Sequence, residues 1–269
     1  MKPLLLCTAF MLAITSCRTK ETLQSPAIPQ ETSDYVYQYS IIDALLAGVY
    51  EGELTIGDLR KRGDFGIGTF NRLDGEMFMM EGKVFRMRSN GEVVEVQDEE
   101  KTPLAYVKFF RPDTTLILSG QTITYERLKT LLAPILNKNQ LYAIRLKGHF
   151  SQVDARSVAP AEKPYPELAA YLAAGGQTSF TFENKAGICI GYVSPDFTAR
   201  ANVPGYHLHF LDDQHEKGGH VFGFQTDSLF VEIDRGQGFT VELNTHPDFA
   251  GADLLRNRKK ELEVVEQKQ

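Results

Sequence analysis

Short stretches of alternating polar and apolar residues fill most of the chain after residue 66, and turn residues separate them. A period of two places successive side chains on opposite faces of a β-sheet. Glu81-Gly82 and Asn90-Gly91 have the composition of tight turns between neighbouring strands. The last third of the chain has the most predicted strands, over 179–183, 187–193, 205–211, 219–224, 229–233 and 239–243.

Few helices interrupt this pattern. Ser40 to Asp43 and Thr55 to Asp58 each have the spacing of a capping box before a short helix, and further helices are predicted over 124–136 and 167–174. Residues 254–269 are charged and weakly periodic, which predicts a frayed helix or tail. The fold class is therefore α+β with much antiparallel sheet, and a boundary is predicted between residues 150 and 175.

The first sixteen residues have the features of a signal peptide. Lys2 gives a positive start, and the apolar stretch from Leu4 to Ile14 is too short to cross a bilayer as a helix. Ser16-Cys17 resembles the end of a bacterial lipobox, in which the cysteine is lipid-modified. Residues 17–36 would then form a polar tether. We predict an exported lipoprotein, anchored on the periplasmic or cell-surface side; the alternative is a plain signal peptide.

Cysteine usage argues against disulfides, and the net charge argues against a nucleic-acid partner. Of the three cysteines, Cys7 would leave with the signal peptide and Cys17 would be acylated, so no disulfide could form within the mature chain. Cys189 lies in an apolar run and is predicted to be buried. A net charge of −6 with scattered lysines and arginines argues against a nucleic-acid partner, which would need a clustered basic face.

Histidines are concentrated in one short segment. In Tyr206-His207-Leu208-His209-Phe210 a period of two puts His207 and His209 on the same strand face. The segment 212–219 has the composition of a turn, after which an antiparallel return would bring His220 beside the pair. Three histidines on adjacent strands, with open positions, form the arrangement of a catalytic zinc site. A single strand histidine is more often structural, but this combination is less frequent by chance.

The cluster alone leaves the chemistry open. Three neutral imidazoles would preserve the double charge of the ion and favour its action as a Lewis acid. Hydration, hydrolysis, oxygen activation and carbonyl polarisation are all compatible with it. Of the other histidines, His215 is predicted to be solvated at the turn, and His149 and His246 to have structural or surface roles.

Several segments, taken together, resemble the acetolactate decarboxylases. They lie in the order of that family and cover nearly all of residues 38–245. The matching stretches are Ser40–Gly52, Gly66–Phe70, Leu73–Glu76, Gly148–Phe150 with Val153 and Arg156, Lys163–Tyr165 and Gly205–Val221. The resemblance implies that His207, His209 and His220 bind Zn²⁺.

The same resemblance implies which other residues enter the site. Glu76, Arg156 and a glutamate of the C-terminal tail would point toward the metal, and Thr69 would line the pocket. Spacing from the third histidine indicates Glu266 as the tail residue. The alternatives in that tail are Glu261 and Glu263.

Each of these residues also has an ordinary structural interpretation. Without the resemblance, Glu76 is compatible with a solvated strand carboxylate and Thr69 with a common β-forming residue. Arg156 is compatible with an ion pair to Asp154 or Glu162.

The resemblance further implies two sheet-containing halves, over 37–160 and 161–269, the second being barrel-like and carrying the metal site. It implies a homodimer that decarboxylates 2-acetolactate to acetoin and CO₂, with zinc acting on the ketone and hydroxyl oxygens. Two alternatives are a catalytically inactive, lipid-anchored metal-binding protein on the same scaffold and a three-histidine metal oxygenase. Metal storage alone would need neither Glu76 nor Arg156, and only an oxygenase would consume oxygen.

Overall fold

A computed structural model describes residues 34–266. The predicted signal peptide, the lipidation site Cys17 and the predicted tether up to residue 33 lie outside the described residues. Within the described range, no helix is both long enough and apolar enough to cross a bilayer.

The larger sheet has seven strands in the order β14-β1-β8-β3-β4-β5-β6. All neighbours are antiparallel except β1 and β14, which run parallel. A separate short ribbon pairs β2 with β7. The strands are β1 (Tyr35–Tyr39), β2 (Leu54–Thr55), β3 (Phe65–Thr69), β4 (Glu76–Met80), β5 (Lys83–Met87), β6 (Val93–Glu95), β7 (Lys101–Thr102), β8 (Ala105–Lys108) and β14 (Gly238–Glu242).

The second sheet consists of longer strands that close on themselves. They are β9 (Thr114–Thr124), β10 (Leu141–Val158), β11 (Gln177–Ser194), β12 (Gly205–Asp212) and β13 (Gly218–Gly236). Each of β10 to β13 pairs with the next, and β13 also pairs with β10, so these four strands form a ring with β9 added along β13. Ring closure pairs each of the four strands on both sides over at least part of its length, which limits the length of free edge. The predicted α+β class with a barrel-like part is confirmed.

The chain passes from the first sheet to the second between β8 and β9, and β14 returns to the first sheet. The boundary predicted at residues 160 and 161 falls between β10 and β11, which are hydrogen-bonded neighbours in one sheet. The division between the sheets therefore does not coincide with the two sequence halves.

The helices are short: α1 (Ile42–Leu46), α2 (Ile56–Arg60), α3 (Tyr125–Leu132), α4 (Leu168–Ala173), α5 (Pro247–Gly251) and α6 (Lys259–Val265). Thr55 caps α2 as predicted, since its hydroxyl accepts a hydrogen bond from the N–H of Asp58 at 3.1 Å. The capping box predicted at Ser40 is wrong. Ser40 has a φ of 65° and its N–H donates to the carbonyl of Glu242 at 2.8 Å, which ties it to the sheet before the helix begins.

The main core lies between the two sheets and includes Ile67 and Phe78 from the first and Ile190 and Tyr192 from the second. A further core fills the ring, and a third covers the far face of the first sheet. Cys189 is buried in the ring core, as predicted. The histidine strands lie at the junction where the first sheet faces the ring.

Candidate metal centre and active site

A short turn sets the register of the two histidine strands. The carboxylate of Asp212 accepts hydrogen bonds from the backbone N–H groups of Glu216 at 2.8 Å and Lys217 at 3.0 Å. Aspartate favours turns because its side chain can bond to the backbone that follows it. Strands β12 and β13 leave this turn with His209 directly opposite His220. Cross-strand partners share one face of a sheet, so the turn brings the two imidazoles together.

The three imidazoles form a compact, buried cluster. His207 lies two residues before His209 and shares its strand face, and the ring centroids of the three are 5.0 to 5.4 Å apart. One ring nitrogen of each residue lies within 4.8 Å of the others. Their exposed fractions are 9% for His207, 1% for His209 and 3% for His220. The structure thus assembles the residues that the sequence pattern indicated as metal ligands.

The three histidines are in the neutral form and have ring nitrogens free to bind a cation. Burial lowers the pKa of all three imidazoles, to about 4 for His209, and the neutral form is the one that ligates metals. Nδ1 of His209 donates to the carbonyl of Met77 at 2.7 Å, which leaves the lone pair on Nε2. That Nε2 and Nδ1 of His207 have no hydrogen-bond partner among residues 34–266. Buried nitrogens of this kind fit a metal ion as their missing partner.

Two glycines allow the neighbouring strands to approach the cluster. A Cβ atom at Gly191 on β11 would lie 1.9 Å from the carbonyl oxygen of His207. A Cβ atom at Gly219 on β13 would lie 2.4 Å from the carbonyl oxygen of Arg156. Both distances are far below van der Waals contact, so strand pairing around the site depends on the absence of side chains at these positions.

Arg156 extends the row of site residues across a third strand. It lies on β10 directly opposite His220, and only 5% of it is exposed. Its Nη1 donates to Oε1 of Gln177 at 3.0 Å, and its Nε lies 4.0 Å from Oε1 of Glu76. The guanidinium charge is therefore directed toward the histidine cluster instead of toward solvent.

The first sheet contributes Glu76 and Thr69, which are paired across β3 and β4. Oε2 of Glu76 lies 3.7 Å from Nε2 of His209, and the residue is only 6% exposed. Burial raises the pKa of Glu76 to about 7, although the positive charge of Arg156 acts to lower it. The hydroxyl of Thr69 donates to the carbonyl of Gly75 at 2.8 Å, which fixes the loop before Glu76. Glu76 is thus a buried site carboxylate in this structure.

The C-terminal segment returns to the site as α6. Glu266, which caps the C-terminus of this helix, has its Oε2 atom 3.4 Å from Nε2 of His220. Burial raises the pKa of Glu266 to about 7, and Arg156 opposes the rise. Leu262 and Val265 on the same helix are buried in the main core. The segment that sequence composition indicated as a frayed tail is therefore packed against the site.

The other two glutamates of the tail point elsewhere. Glu261 pairs with Arg258 at 2.8 Å, on the side of α6 that faces α4. Glu263 is exposed. Of the three tail carboxylates considered from the sequence, the structure brings Glu266 to the histidines.

These groups surround a small cavity of about 50 Å³. Its polar lining consists of the three histidines, Glu76, Arg156, Glu266, Thr69 and Tyr106. The remaining walls are mainly aliphatic and come from α1, α4, α6, β10 and the connections before β4 and β8: Ile42, Leu45, Leu73, Leu104, Val158, Leu168 and Val265. The few converging polar groups among aliphatic walls suit the binding of a small oxygenated molecule.

A sequence profile of the alpha-acetolactate decarboxylase family matches residues 36–256. The chain belongs to this family. The alpha-acetolactate decarboxylase of Methanosarcina mazei is 40% identical over 241 residues, covering 90% of this chain and 83% of the relative. That of Brevibacillus brevis is 38% identical over 248 residues, covering 88% of this chain and 86% of the relative.

The crystal structure of alpha-acetolactate decarboxylase from Bacillus subtilis strain 168 has the same fold. It is 36% identical and matches with a TM-score of 0.84, covering 87% of this chain and all of that one. The family resemblance inferred from the sequence motifs is confirmed. The profile ends before α6, so the position of Glu266 in this acetolactate decarboxylase family member comes from the structure.

One polar residue of the site, Tyr106, has no motif that could identify it from the sequence. Tyr106 lies on β8, its ring is fully buried, and the ring centroid lies 6.2 Å from that of His207. Burial and the negative charge of Glu266 both raise the pKa of its hydroxyl. It belongs to an ordinary strand pattern, and only the packing of the two sheets brings it to the cavity.

The remaining histidines lie outside the site. His215 is exposed at the turn between β12 and β13, as predicted, and His149 is exposed on β10. Nδ1 of His246 accepts a hydrogen bond from the N–H of Asp248 at 3.2 Å and so caps α5.

Proposed function

We propose that this protein is a metal-dependent decarboxylase that converts 2-acetolactate to acetoin and CO₂. The observation that carries the proposal is the buried group of three histidines, with two carboxylates and one guanidinium on the same small cavity. Membership in the alpha-acetolactate decarboxylase family, and the names of its relatives, support the choice of substrate.

His207, His209 and His220 would hold the metal, and we propose zinc because three neutral imidazoles with open positions are a common catalytic zinc arrangement. Such donors also accept other divalent ions, so metal analysis of the isolated protein is part of the test. When bound, the ion supplies a Lewis acid for the ketone and hydroxyl oxygens of the substrate.

The chemistry of acetolactate defines what the side chains have to do. It is a 2-hydroxy-2-methyl-3-oxo acid, so its carboxylate is β to a ketone. Loss of CO₂ leaves an electron pair on C2 that is delocalised toward the ketone and then needs a proton. The protein therefore has to orient the carboxylate, exclude water and deliver one proton.

Arg156 is suited to orient the carboxylate. A guanidinium binds a carboxylate through two parallel N–H donors, which fixes direction as well as charge. The contact between Nη1 and Gln177 holds the side chain in place. The aliphatic walls from α1, α4 and α6 would keep water from the reacting carbon.

Glu76 and Glu266 are suited to proton transfer and to hydroxyl binding. Both have a pKa of about 7 in the metal-free site, so each can carry a proton near neutral pH. A bound dication would lower both values. One of them delivers the proton to C2 and the other accepts a hydrogen bond from the substrate hydroxyl.

The test is an acetoin assay on the metal-loaded protein with racemic acetolactate, with and without a chelator. We expect acetoin to form, to cease with the chelator and to return with added zinc. His209→Ala should lose both bound metal and turnover, whereas His215→Ala, at the exposed turn, should keep both. Absence of acetoin from zinc-loaded protein would overturn the proposal. Retained metal without turnover would indicate a metal-binding protein, and oxygen uptake an oxygenase.

We propose also that the chain is exported and lipid-anchored through Cys17, and that it forms a homodimer. The lipobox-like sequence before Cys17 supports the anchor, and the family resemblance supports the dimer. Incorporation of labelled palmitate into the wild type, but not into Cys17→Ser, tests the first. Sedimentation equilibrium tests the second.

A further inference from the structure

Tyr106 differs from the other buried tyrosines of the fold. Four tyrosines are among the largest fully buried side chains: Tyr39, Tyr50, Tyr106 and Tyr192. The hydroxyls of Tyr39, Tyr50 and Tyr192 each donate to a protein oxygen at 2.8 to 3.3 Å. The hydroxyl of Tyr106 has no hydrogen-bond partner among residues 34–266.

An unpaired buried hydroxyl is unfavourable, because the group loses its bonds to water and gains none in return. A buried phenylalanine would fill the same volume without this cost. Buried tyrosine hydroxyls therefore normally have a partner, and one that lacks a protein partner needs another kind of partner.

The position of Tyr106 indicates where that partner would lie. The residue lines the cavity beside the histidine cluster, with its ring edge-on to His207. The hydroxyl is also within electrostatic reach of Glu266. A hydrogen-bond partner would therefore reach the Tyr106 hydroxyl from the cavity.

Two other donors on the cavity already have protein partners. The hydroxyl of Thr69 donates to Gly75, and Nη1 of Arg156 donates to Gln177. Nε of Arg156, by contrast, has no hydrogen-bond partner within the described chain. The cavity thus combines one cationic donor and one neutral phenol donor.

We propose that the hydroxyl of Tyr106 donates a hydrogen bond to an oxygen of the bound small 2-hydroxy-3-oxo acid, and that Tyr106 is a substrate-binding residue of this site. The inference rests on the proposed function. It adds a neutral donor on the side of the cavity formed by β8, whereas the carboxylates of Glu76 and Glu266 can only accept hydrogen bonds when ionised.

The first experiment compares wild type with Tyr106→Phe, both as zinc-loaded full-length protein. The substitution keeps the ring and removes only the hydroxyl. We expect kcat/KM for acetolactate to fall at least about tenfold, the effect of losing one hydrogen bond to a ligand. Zinc content should equal that of the wild type. The melting temperature should be unchanged or higher, because an unpaired hydroxyl is removed.

Tyr39→Phe is the matched control. Tyr39 is equally buried, but it lies in the core on the far face of the first sheet and its hydroxyl donates to Asn244 at 3.0 Å. This variant should have a lower melting temperature and unchanged kinetic constants. The opposite responses of the two variants separate substrate binding from general packing, since a merely structural Tyr106 would lower the melting temperature as Tyr39 does.

A binding measurement that does not depend on turnover completes the test. In 2,3-dihydroxy-2-methylbutanoate the ketone is reduced, so the compound cannot decarboxylate. We expect Tyr106→Phe to bind it at least about tenfold more weakly than wild type. If the variant folds poorly, 3-fluorotyrosine placed at position 106 tests the contact instead, because a ¹⁹F resonance that does not shift when the compound binds would show that the phenol does not meet it.

The outcomes that would overturn the role of Tyr106 differ from the outcome that would overturn the proposed function. Wild-type turnover with unchanged constants and unchanged analogue binding in Tyr106→Phe would overturn the role of Tyr106 alone. Loss of zinc in proportion to activity would also overturn it, since Tyr106 would then support His207. Absence of acetoin from the wild type would overturn the proposed function together with this inference.

Discussion

Nη1 of Arg258 lies 3.1 Å from Oε1 of Glu167, and this ion pair joins α6 to the residue before α4. The Arg258 side chain is only 2% exposed, whereas that of Glu167 is 43% exposed. The same nitrogen lies 2.8 Å from Oε2 of Glu261 on α6. Because Arg258 precedes the first residue of α6 and Glu266 caps its C-terminus, the pair anchors one end of the helix whose other end holds a carboxylate beside the histidine cluster.

Arg258→Met should therefore reduce activity without removing the metal. We expect kcat/KM to fall about tenfold or more, since small displacements of a site residue have large kinetic effects. The free energy of unfolding should fall by about 1–3 kcal/mol, less than for a fully buried pair because both carboxylates are partly exposed. Zinc content should stay at the wild-type level, because the histidines lie on β12 and β13.

Arg256 provides the control, since it contacts the same two glutamates but its side chain is 50% exposed. Arg256→Met should change kcat/KM less than twofold, because exposed ion pairs contribute little. Equal effects of the two substitutions, or loss of zinc from Arg258→Met, would contradict a positioning role for Arg258.

A second prediction concerns Gly191, where a Cβ atom would lie 1.9 Å from the carbonyl oxygen of His207. Gly191→Ala should force β11 and β12 apart and displace His207 from the cluster. We expect a loss of about 1–3 kcal/mol in the free energy of unfolding and weaker zinc retention during dialysis. Gly251→Ala should alter neither property, because a Cβ atom there would approach no heavy atom within 4 Å beyond its own chain neighbours and helix backbone. Normal zinc retention in Gly191→Ala would show that the strands can adjust without moving His207.

Part of the fold was predictable from local pattern. Periodicity of two identified the strands, and Glu81-Gly82 forms the turn between β4 and β5 with φ values of 52° and 76°. Residues 142–146 and 150–155 have the pattern of two separate strands, but in the structure both belong to β10, which continues through an irregular register between Gly148 and Phe150. Glycine and histidine there resemble a strand end, but pairing with β11 and β13 on both sides carries the strand onward.

The site was predictable where its residues are close in sequence. His207, His209 and His220 needed only a strand period and one turn. Glu76, Arg156 and Glu266 depend on contacts between sheets and with the C-terminal helix, and motif resemblance indicated them where periodicity did not. Tyr106 had no such motif, because an unpaired hydroxyl is a property of packing and leaves no trace in composition.

A third prediction concerns metal removal. A ligand that binds only the folded state stabilises it, by about 2.7 kcal/mol when its free concentration is 100 times Kd. For a domain of this size that corresponds to a rise in melting temperature of about 5–10 °C. A chelator should reverse this rise in the wild type and in His215→Ala, and have no effect on His209→Ala. A melting temperature unaffected by chelator in zinc-loaded wild type would argue against a metal bound at the cluster.

The last prediction concerns a buried ion pair away from the site. Lys108 on β8 pairs with Asp234 on β13, and their side chains are 0% and 3% exposed. Oδ2 of Asp234 also accepts a hydrogen bond from the N–H of Arg111 at 2.6 Å. Lys108→Met would leave the carboxylate buried without its cation. We expect a loss of about 3–5 kcal/mol in the free energy of unfolding near neutral pH.

The loss of unfolding free energy in Lys108→Met should increase as pH rises. Burial already raises the pKa of Asp234 above the ordinary value of 3.8, and Lys108 opposes that rise. Without Lys108 the folded state holds a proton that the unfolded state has released, so stability falls as pH rises above about 4. Urea unfolding should therefore show a smaller deficit at pH 5 than at pH 8. In Lys108→Met combined with Asp234→Asn the deficit should be smaller and independent of pH, and a pH-independent deficit in the single variant would contradict this account.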